Sequence, residues 1–278
     1  MTDIDTWRGW IGREQTQDDL LTEDLARKFH AMLDLPGDAP RLGEAAPQLI
    51  HFCLTQPAAA TATLGEDGHP ARGGFLPPVA LPRRMWAGGS LSFHRPLRVG
   101  DAVRRISRIE EVTLKHGRTG RLCFVTVAHR IEAGGELAVE ERQDIVYREA
   151  DSAAKPATPP TAAAPGTRTR PQPVSAPLLF RYSALTFNGH RIHYDHPYVT
   201  QVEGYPGLVV HGPMQATWLL HYATELRGAL PRSFTFRGQS PLFDNDVVSL
   251  NATDAGDSMK LWTSRTGGPV AMAAEVFW

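Results

Sequence analysis

The chain has 278 residues, 42% of them hydrophobic and 21% charged, with a formal net charge of -1. That length suits one large domain or two ordinary ones, and the even charge points to neither a nucleic-acid partner nor an acidic solvating tail. Its two cysteines, Cys53 and Cys123, each lie in an apolar stretch and read as buried free thiols of a reducing compartment, not as a disulfide or a metal pair.

The opening Met1-Thr2-Asp3-Ile4-Asp5 is acidic and has no apolar stretch of the signal-peptide kind. No uncharged apolar run reaches membrane-spanning length, so a soluble, cytoplasmic protein is expected, with neither membrane nor nucleic acid as partner. Thr22 to Leu33 predicts a helix with a capping-box start and Leu25, Phe29 and Leu33 on one face. Residues 47–54 suggest a second, short helix. Leu91 to Arg148 reads as a run of strands, clearest at 121–127, with Gly134-Gly135 as a turn. From Ala153 to Pro177 the chain is almost entirely Ala, Pro, Thr, Gly, Ser and Arg, which cannot bury enough apolar surface to offset its ordering entropy. It reads as a linker between halves at 1–152 and 178–278.

In the second half, Phe187-Asn188-Gly189-His190-Arg191-Ile192-His193-Tyr194-Asp195 packs two histidines, a carboxamide and a carboxylate into nine residues. Tyr205 to Pro213 then runs into a helix predicted over 213–227. Its Pro sits in the first turn, and Met214, Trp218, Leu219 and Tyr222 form its apolar stripe. A polar cluster followed by a glycine-led helix start reads as two halves of one site. The first can move protons, and the second offers backbone N–H groups and a positive dipole end to a developing anion. Phe234 to Trp278 is again strands, with turns at Asp254-Ala255-Gly256-Asp257 and Thr266-Gly267-Gly268.

The halves look related. Pro96-Leu97 precedes Asp101 and Val103 by the spacing with which Pro241-Leu242 precedes Asp246 and Val248, and Val139 precedes Tyr147 as Val270 precedes Trp278. Three matches in order favour a duplicated unit. Each half is then a helix followed by an antiparallel sheet, an α+β arrangement in which a sheet wrapped around one helix buries it on several sides.

The second half resembles the MaoC-like hydratases of the hot-dog fold, in which an Asp is followed five residues on by a His and two further by an Asp. In this frame stand Asn188, His193 and Asp195, followed by the helix start His211-Gly212-Pro213. With Leu81 to Gly89 and Gln143 to Glu149, the whole chain looks like a narrower group. That group holds the mesaconyl-C4-CoA (3-methylfumaryl-CoA) hydratases, the itaconyl-CoA hydratases and a mitochondrial 3-hydroxyacyl-thioester dehydratase. The resemblance implies a double hot-dog, two antiparallel sheets each wrapped around a central helix. Its first half is a supporting one of the FAS1-like dehydratase type, and its second carries the site. It implies reversible addition of water across the double bond of an acyl-CoA thioester, mesaconyl-C4-CoA first and itaconyl-CoA or a fatty-acid-type substrate second, in a homodimer without metal or other cofactor.

On that reading His193 is the general acid/base, since an imidazole titrates at about pH 6.5 and serves both directions. Asn188 replaces the family Asp; a carboxamide takes no proton and can only orient water or the imidazole. Gly212 offers its N–H as oxyanion donor, while Pro213 has none to add. Asp195 either holds the imidazole tautomer or caps the turn at His196-Pro197. His190 is a further substrate-binding candidate, and His211 faces either substrate or core. For the CoA phosphates the candidates are Arg83, Arg84, Arg181, Arg191 and Arg237, with Arg191 and Arg237 placed first for their nearness in sequence. Gly73-Gly74 and Gly88-Gly89 are isolated pairs and make no nucleotide loop.

Three rivals have weaker support. His190, His193, Asp195 and His196 nearly form the metal array of metallo-β-lactamase-type hydrolases, but that array needs a histidine where Arg191 stands. A hot-dog thioesterase wants a carboxylate on the central helix, and none occurs from Pro213 to Ala223. A non-catalytic acyl-CoA-binding subunit is the third.

Overall fold

The computed structural model describes residues 3–117, 120–149 and 161–278. Five α-helices and ten strands are present among them: α1 (Asp3–Arg8), β1 (Glu14–Leu20), α2 (Glu23–Met32), β2 (Arg83–Phe93), β3 (Ala102–Gly117), β4 (Gly120–Ala133), β5 (Glu136–Arg148), β6 (Arg168–Gln172), α3 (Ala176–Leu185), α4 (His196–Gln201), α5 (Gly212–Arg227), β7 (Ser233–Gly238), β8 (Val248–Asp254), β9 (Ser258–Arg265) and β10 (Val270–Phe277). The strands form one sheet in the order β1-β3-β4-β5-β2-β7-β10-β9-β8-β6. Numbered within each half, the sequence 1-3-4-5-2 meets its mirror image 2-5-4-3-1. The halves join where β2 pairs antiparallel with β7, Gly88 opposite Arg237 and Ser92 opposite Ser233. Gly88 lies in this seam because a Cβ there would meet Phe236 O at 2.5 Å.

The repeated Pro-Leu…Asp pattern has a physical basis. Asp101 accepts from Arg98 N–H at 2.8 Å, and Asp246 accepts from Phe243 N–H at 2.8 Å. Each carboxylate caps the turn that starts the third strand of its half, β3 and β8.

The halves differ in what they cradle. α5 is buried nearly all round, by Met214, Ala216, Thr217, Trp218, Leu219, Leu220, Tyr222 and Ala223, as a helix inside a curved sheet must be. Among its described residues the first half has no such helix. Its short predicted helix at 47–54 is a 3-10 turn, Ile50–Cys53, and the predicted helix at 22–33 is α2, the counterpart of α3 in chain order. So the double hot-dog here has one long central helix, not two. Thr22 caps α2, accepting from Leu25 N–H at 3.1 Å. The reciprocal half of a capping box is absent, because Leu25 has no carboxylate to offer.

The stretch 153–177 is not all linker. Residues 153–160 lie outside the described residues, but Arg168–Gln172 is β6, paired with β8 along the sheet edge. Pro171 is tolerated in it because edge strands leave one row of N–H groups unpaired.

Candidate active site

The segment from Asn188 to Tyr194 lies between α3 and α4. Its 3-10 turn, Arg191–His193, places His193 against the loop before α5. His193 Nδ1 lies 2.7 Å from Val209 O. A carbonyl only accepts, so Nδ1 carries the proton and Nε2 is left with its lone pair. Nε2 has no hydrogen-bond partner among the described residues. The ring stacks on His211 at 3.6 Å between centroids and 18° between planes. His193 is 7% exposed, and burial pushes its pKa down to about 4, so the ring is neutral near pH 7. His211 is buried further, with Ser183 Oγ 2.8 Å from its Nε2, and burial holds it well below the usual histidine range. It is a wall of the site, on the core side and not the substrate side.

Gly212 opens α5. Its N–H has no acceptor among the described residues, as the first turn of a helix dictates, so it stays available to an anion. A Cβ at Gly212 would meet Trp86 Cε3 at 2.8 Å, so the indole lies against the helix start. Two residues before Trp86 on β2, and hence on the same face, stands Arg84.

Other expected residues take different places. Asp195 does not hold His193. Its Oδ1 caps α4, accepting from Tyr198 N–H at 3.1 Å, and its Oδ2 receives Arg191 Nε and Nη2 at 2.9 and 2.8 Å. The imidazole is oriented by Val209 instead. Arg191 is engaged further, donating to Glu66 O at 3.0 Å and covering the Tyr198 ring, which makes it a brace and not a free phosphate ligand. Arg237 points away: Phe234 and Phe236 face the core, so alternation puts Thr235 and Arg237 on the outer face of the sheet, beside Lys260 and Glu275. Arg181 is exposed on α3. The Asn188 carboxamide oxygen accepts from His190 N–H at 3.0 Å, a local turn that shapes the loop.

Sequence reading missed the loop of the first half that carries Asp67 and His69. A cavity of about 510 Å³ opens beside His190, with Asp67, His69, Arg72, Arg83 and Arg84 in its wall. His69 and His190 lie 4.1 Å apart, and His190 meets His193 edge-on at 5.4 Å. Asp67 Oδ2 is 3.0 Å from His69 Nδ1 and Oδ1 accepts from His69 N–H at 2.9 Å, so Nδ1 carries a proton and Nε2 has no hydrogen-bond partner among the described residues. Burial pushes both His69 and His190 down, His190 strongly. The histidine at 69 is followed by proline in a glycine-rich loop about 120 residues before the motif, and no local pattern marks it.

The ligating atoms of Asp67, His69 and His190 all fall within 4.8 Å of one another, close enough for a cation. Two features weigh against one. Asp67 is already committed to His69, and the Arg84 charge acts directly on both rings.

A single antiparallel sheet closed over a glycine-started helix, with a base-ready imidazole beside it, defines the double hot-dog hydratases and dehydratases of MaoC type. Comparison with known proteins agrees. The family model for hydroxyacyl-thioester dehydratase type 2 matches residues 48–244, and the chain belongs to that family of hydro-lyases. It is 45% identical to the mesaconyl-C(4)-CoA hydratase of Chloroflexus aurantiacus, over 97% of each chain. It is 28% identical to the mitochondrial hydroxyacyl-thioester dehydratase type 2 of Schizosaccharomyces pombe, over 77% of this chain and 79% of that one. In fold it matches HtdX of Mycobacterium tuberculosis with a TM-score of 0.68 at 19% identity, covering 95% and 99% of the two chains. It also matches a MaoC-like dehydratase of Phytophthora capsici with a TM-score of 0.71 at 14% identity, covering 100% and 99%. No helix among the described residues is long and apolar enough to cross a membrane.

Proposed function

We propose that this protein adds water reversibly to mesaconyl-C4-CoA, giving citramalyl-CoA, with His193 and Gly212 at the centre of the reaction. The observation that carries the chemistry is the tautomer of His193: a buried, neutral ring with Nδ1–H held by Val209 O and Nε2 free. In dehydration Nε2 takes the α-carbon proton, and in hydration it returns one there. The electron pair released at the α-carbon moves onto the thioester oxygen. Gly212 N–H, at the positive end of α5, receives that oxygen as it becomes enolate-like.

The choice of acyl group rests on the Chloroflexus relative and on the cations of the cavity. A mesaconyl-C4 group carries a free carboxylate on the carbon that water attacks, so it requires a cation beside the acid/base groups. Arg83 faces Glu203, with Oε2 at 3.7 Å. The Arg72 fork donates to the carbonyls of Val79, Leu81 and Pro82. Arg84 has no carboxylate within ion-pair distance among the described residues. Its neighbour is Tyr147, directly across the strand pair. Arg84 therefore suits the substrate carboxylate.

The test is loss of enoyl-thioester absorbance with mesaconyl-C4-CoA, itaconyl-CoA and crotonyl-CoA offered side by side. Preference for mesaconyl-C4-CoA supports the reading, and preference for crotonyl-CoA replaces it with a fatty-acid-type hydratase. His193→Ala should lower kcat by about two to four orders of magnitude with the fold intact. A rate near that of the wild type removes His193 from the mechanism.

A further inference from the structure

We propose that His69, held by Asp67, is the second catalytic residue of this site and does the work of the carboxylate that Asn188 lacks. The inference deepens the hydratase reading and rests on it.

A lone His193 would have to take the proton from water and also supply one to the neighbouring carbon. Asn188 cannot share the task, since a carboxamide takes no proton and its oxygen is occupied by His190 N–H. His69 can. Its Nδ1–H is fixed on Asp67 at 3.0 Å, its Nε2 is free, and it lies in the wall of the cavity that His190 also lines. A carboxylate behind an imidazole fixes the tautomer and stabilises the imidazolium once a proton arrives.

The chain delivers this pair to the catalytic segment by direct backbone contact. Arg191 N–H donates to Asp67 O at 2.9 Å, and Arg191 Nη1 donates to Glu66 O at 3.0 Å. Gly68 and Gly189 face each other so closely that a Cβ on Gly189 would lie 2.6 Å from Gly68 O, and a Cβ on Gly68 would overlap Gly189 O. The loop of the first half is thus seated on the Asn-Gly-His turn of the second, with a glycine on each side of the contact.

In hydration the water oxygen bonds to the β-carbon and the water proton passes to His69 Nε2. The π pair moves to the thioester oxygen at Gly212 N–H. His190, whose ring centroid is 4.1 Å from that of His69 and 5.4 Å from that of His193, passes the water proton on to His193 Nε2, which delivers it to the α-carbon. Net, water has been added and both rings return to the neutral form. Asp67 is the counter-charge of the shared proton.

The experiment compares His69→Ala, Asp67→Asn and His69→Ala/Asn188→Asp with the full-length wild type, on whichever enoyl-CoA the wild type hydrates fastest. Failure of the mesaconyl reading and failure of the His69 role are thereby separated. His69→Ala should lower kcat by about 100-fold with KM within about threefold. Added imidazole should restore part of the rate, and the pH profile of kcat/KM should lose one limb. The added carboxylate in the double variant should recover activity over His69→Ala. Asp67→Asn should give a smaller loss in the same direction. A His69→Ala rate within threefold of wild type overturns the proposal. So does a large loss with no imidazole rescue and an unchanged pH profile, which is the mark of a structural role. So too does wild-type activity abolished by a chelator and restored by zinc, which would make the cluster a metal site.

Discussion

At the scale of single residues, what a side chain touches separates those that react from those that brace. Asp195 stands two positions after His193, in the family frame, yet it caps α4 and pairs with Arg191. Asp195→Ala should therefore leave kcat within about threefold and lower the Tm by a few degrees, the usual effect of a lost helix cap in a chain of this size. A large fall in kcat at unchanged Tm would return Asp195 to the reaction. Arg84 and Arg237 make the opposite pair. Both arginines were in the sequence-based set for the CoA phosphates, with Arg237 placed ahead of Arg84 for its nearness to the motif. Strand alternation, which needs the register, turns Arg237 outward, while Arg84 shares a strand face with Trp86. Arg84→Met should cut kcat/KM on mesaconyl-C4-CoA by about 100-fold, the scale of one lost charge-assisted hydrogen-bonded pair, and leave crotonyl-CoA turnover nearly unchanged. Equal losses on both substrates would show that Arg84 acts only through its packing on Tyr147. Arg237→Ala should change neither rate.

At the scale of elements, legibility followed the range of the interactions. The long helix at 213–227, the strand run to Arg148 and the glycine turns were readable because periodicity and turn chemistry are local. The turn-capping aspartates Asp101 and Asp246 were readable as a repeated pattern, although not as hydrogen bonds. The short α1, α3 and α4 and the edge strands β1 and β6 were missed. They are held by capping and pairing that composition does not announce, and β6 lies in a stretch whose Pro and Thr content argues for a linker. The loop carrying Asp67 and His69 was missed for a different reason: its partner lies some 120 residues away, and the Gly68–Gly189 contact and the Arg191 hydrogen bonds to Glu66 O and Asp67 O bring them together. That contact can be tested as a unit. Gly189→Ala should destabilise the protein by about 1–3 kcal/mol through overpacking and lower kcat at least tenfold by displacing His69. In a His69→Ala background the same change should cost little further activity, since both act on one function. Fully multiplicative losses would mean that the loop contact supports the site by another route.

At the scale of the whole molecule, the site is also where the protein stores a liability. One core cluster runs through both halves, joining Phe29, Leu91 and Val99 of the first to Leu219, Phe234 and Val276 of the second. Into this core are built histidines that burial keeps neutral: His69, His129, His190, His193, His211 and His221 all titrate below their ordinary value. In the unfolded chain each takes up a proton at about pH 6.5, and in the folded one it does so only at lower pH. Between those values the unfolded state binds more protons, so stability falls as the pH falls. For His193, with a folded value of about 4, the loss is about 2 kcal/mol on going from pH 7 to pH 5, and the other buried rings add to it with the same sign. The lowered carboxylates Asp67 and Glu141 oppose nothing in this window, because their own contribution is lost only at lower pH. Urea midpoints at pH 7 and pH 5 should therefore show a steep acid loss in the wild type. In His193→Gln, which keeps a donor for Val209 O but cannot charge, that loss should be smaller by about 2 kcal/mol. Equal losses in the two proteins would mean that the imidazole is not held neutral by burial, and the base-ready state on which the hydratase chemistry depends would have to come from another source.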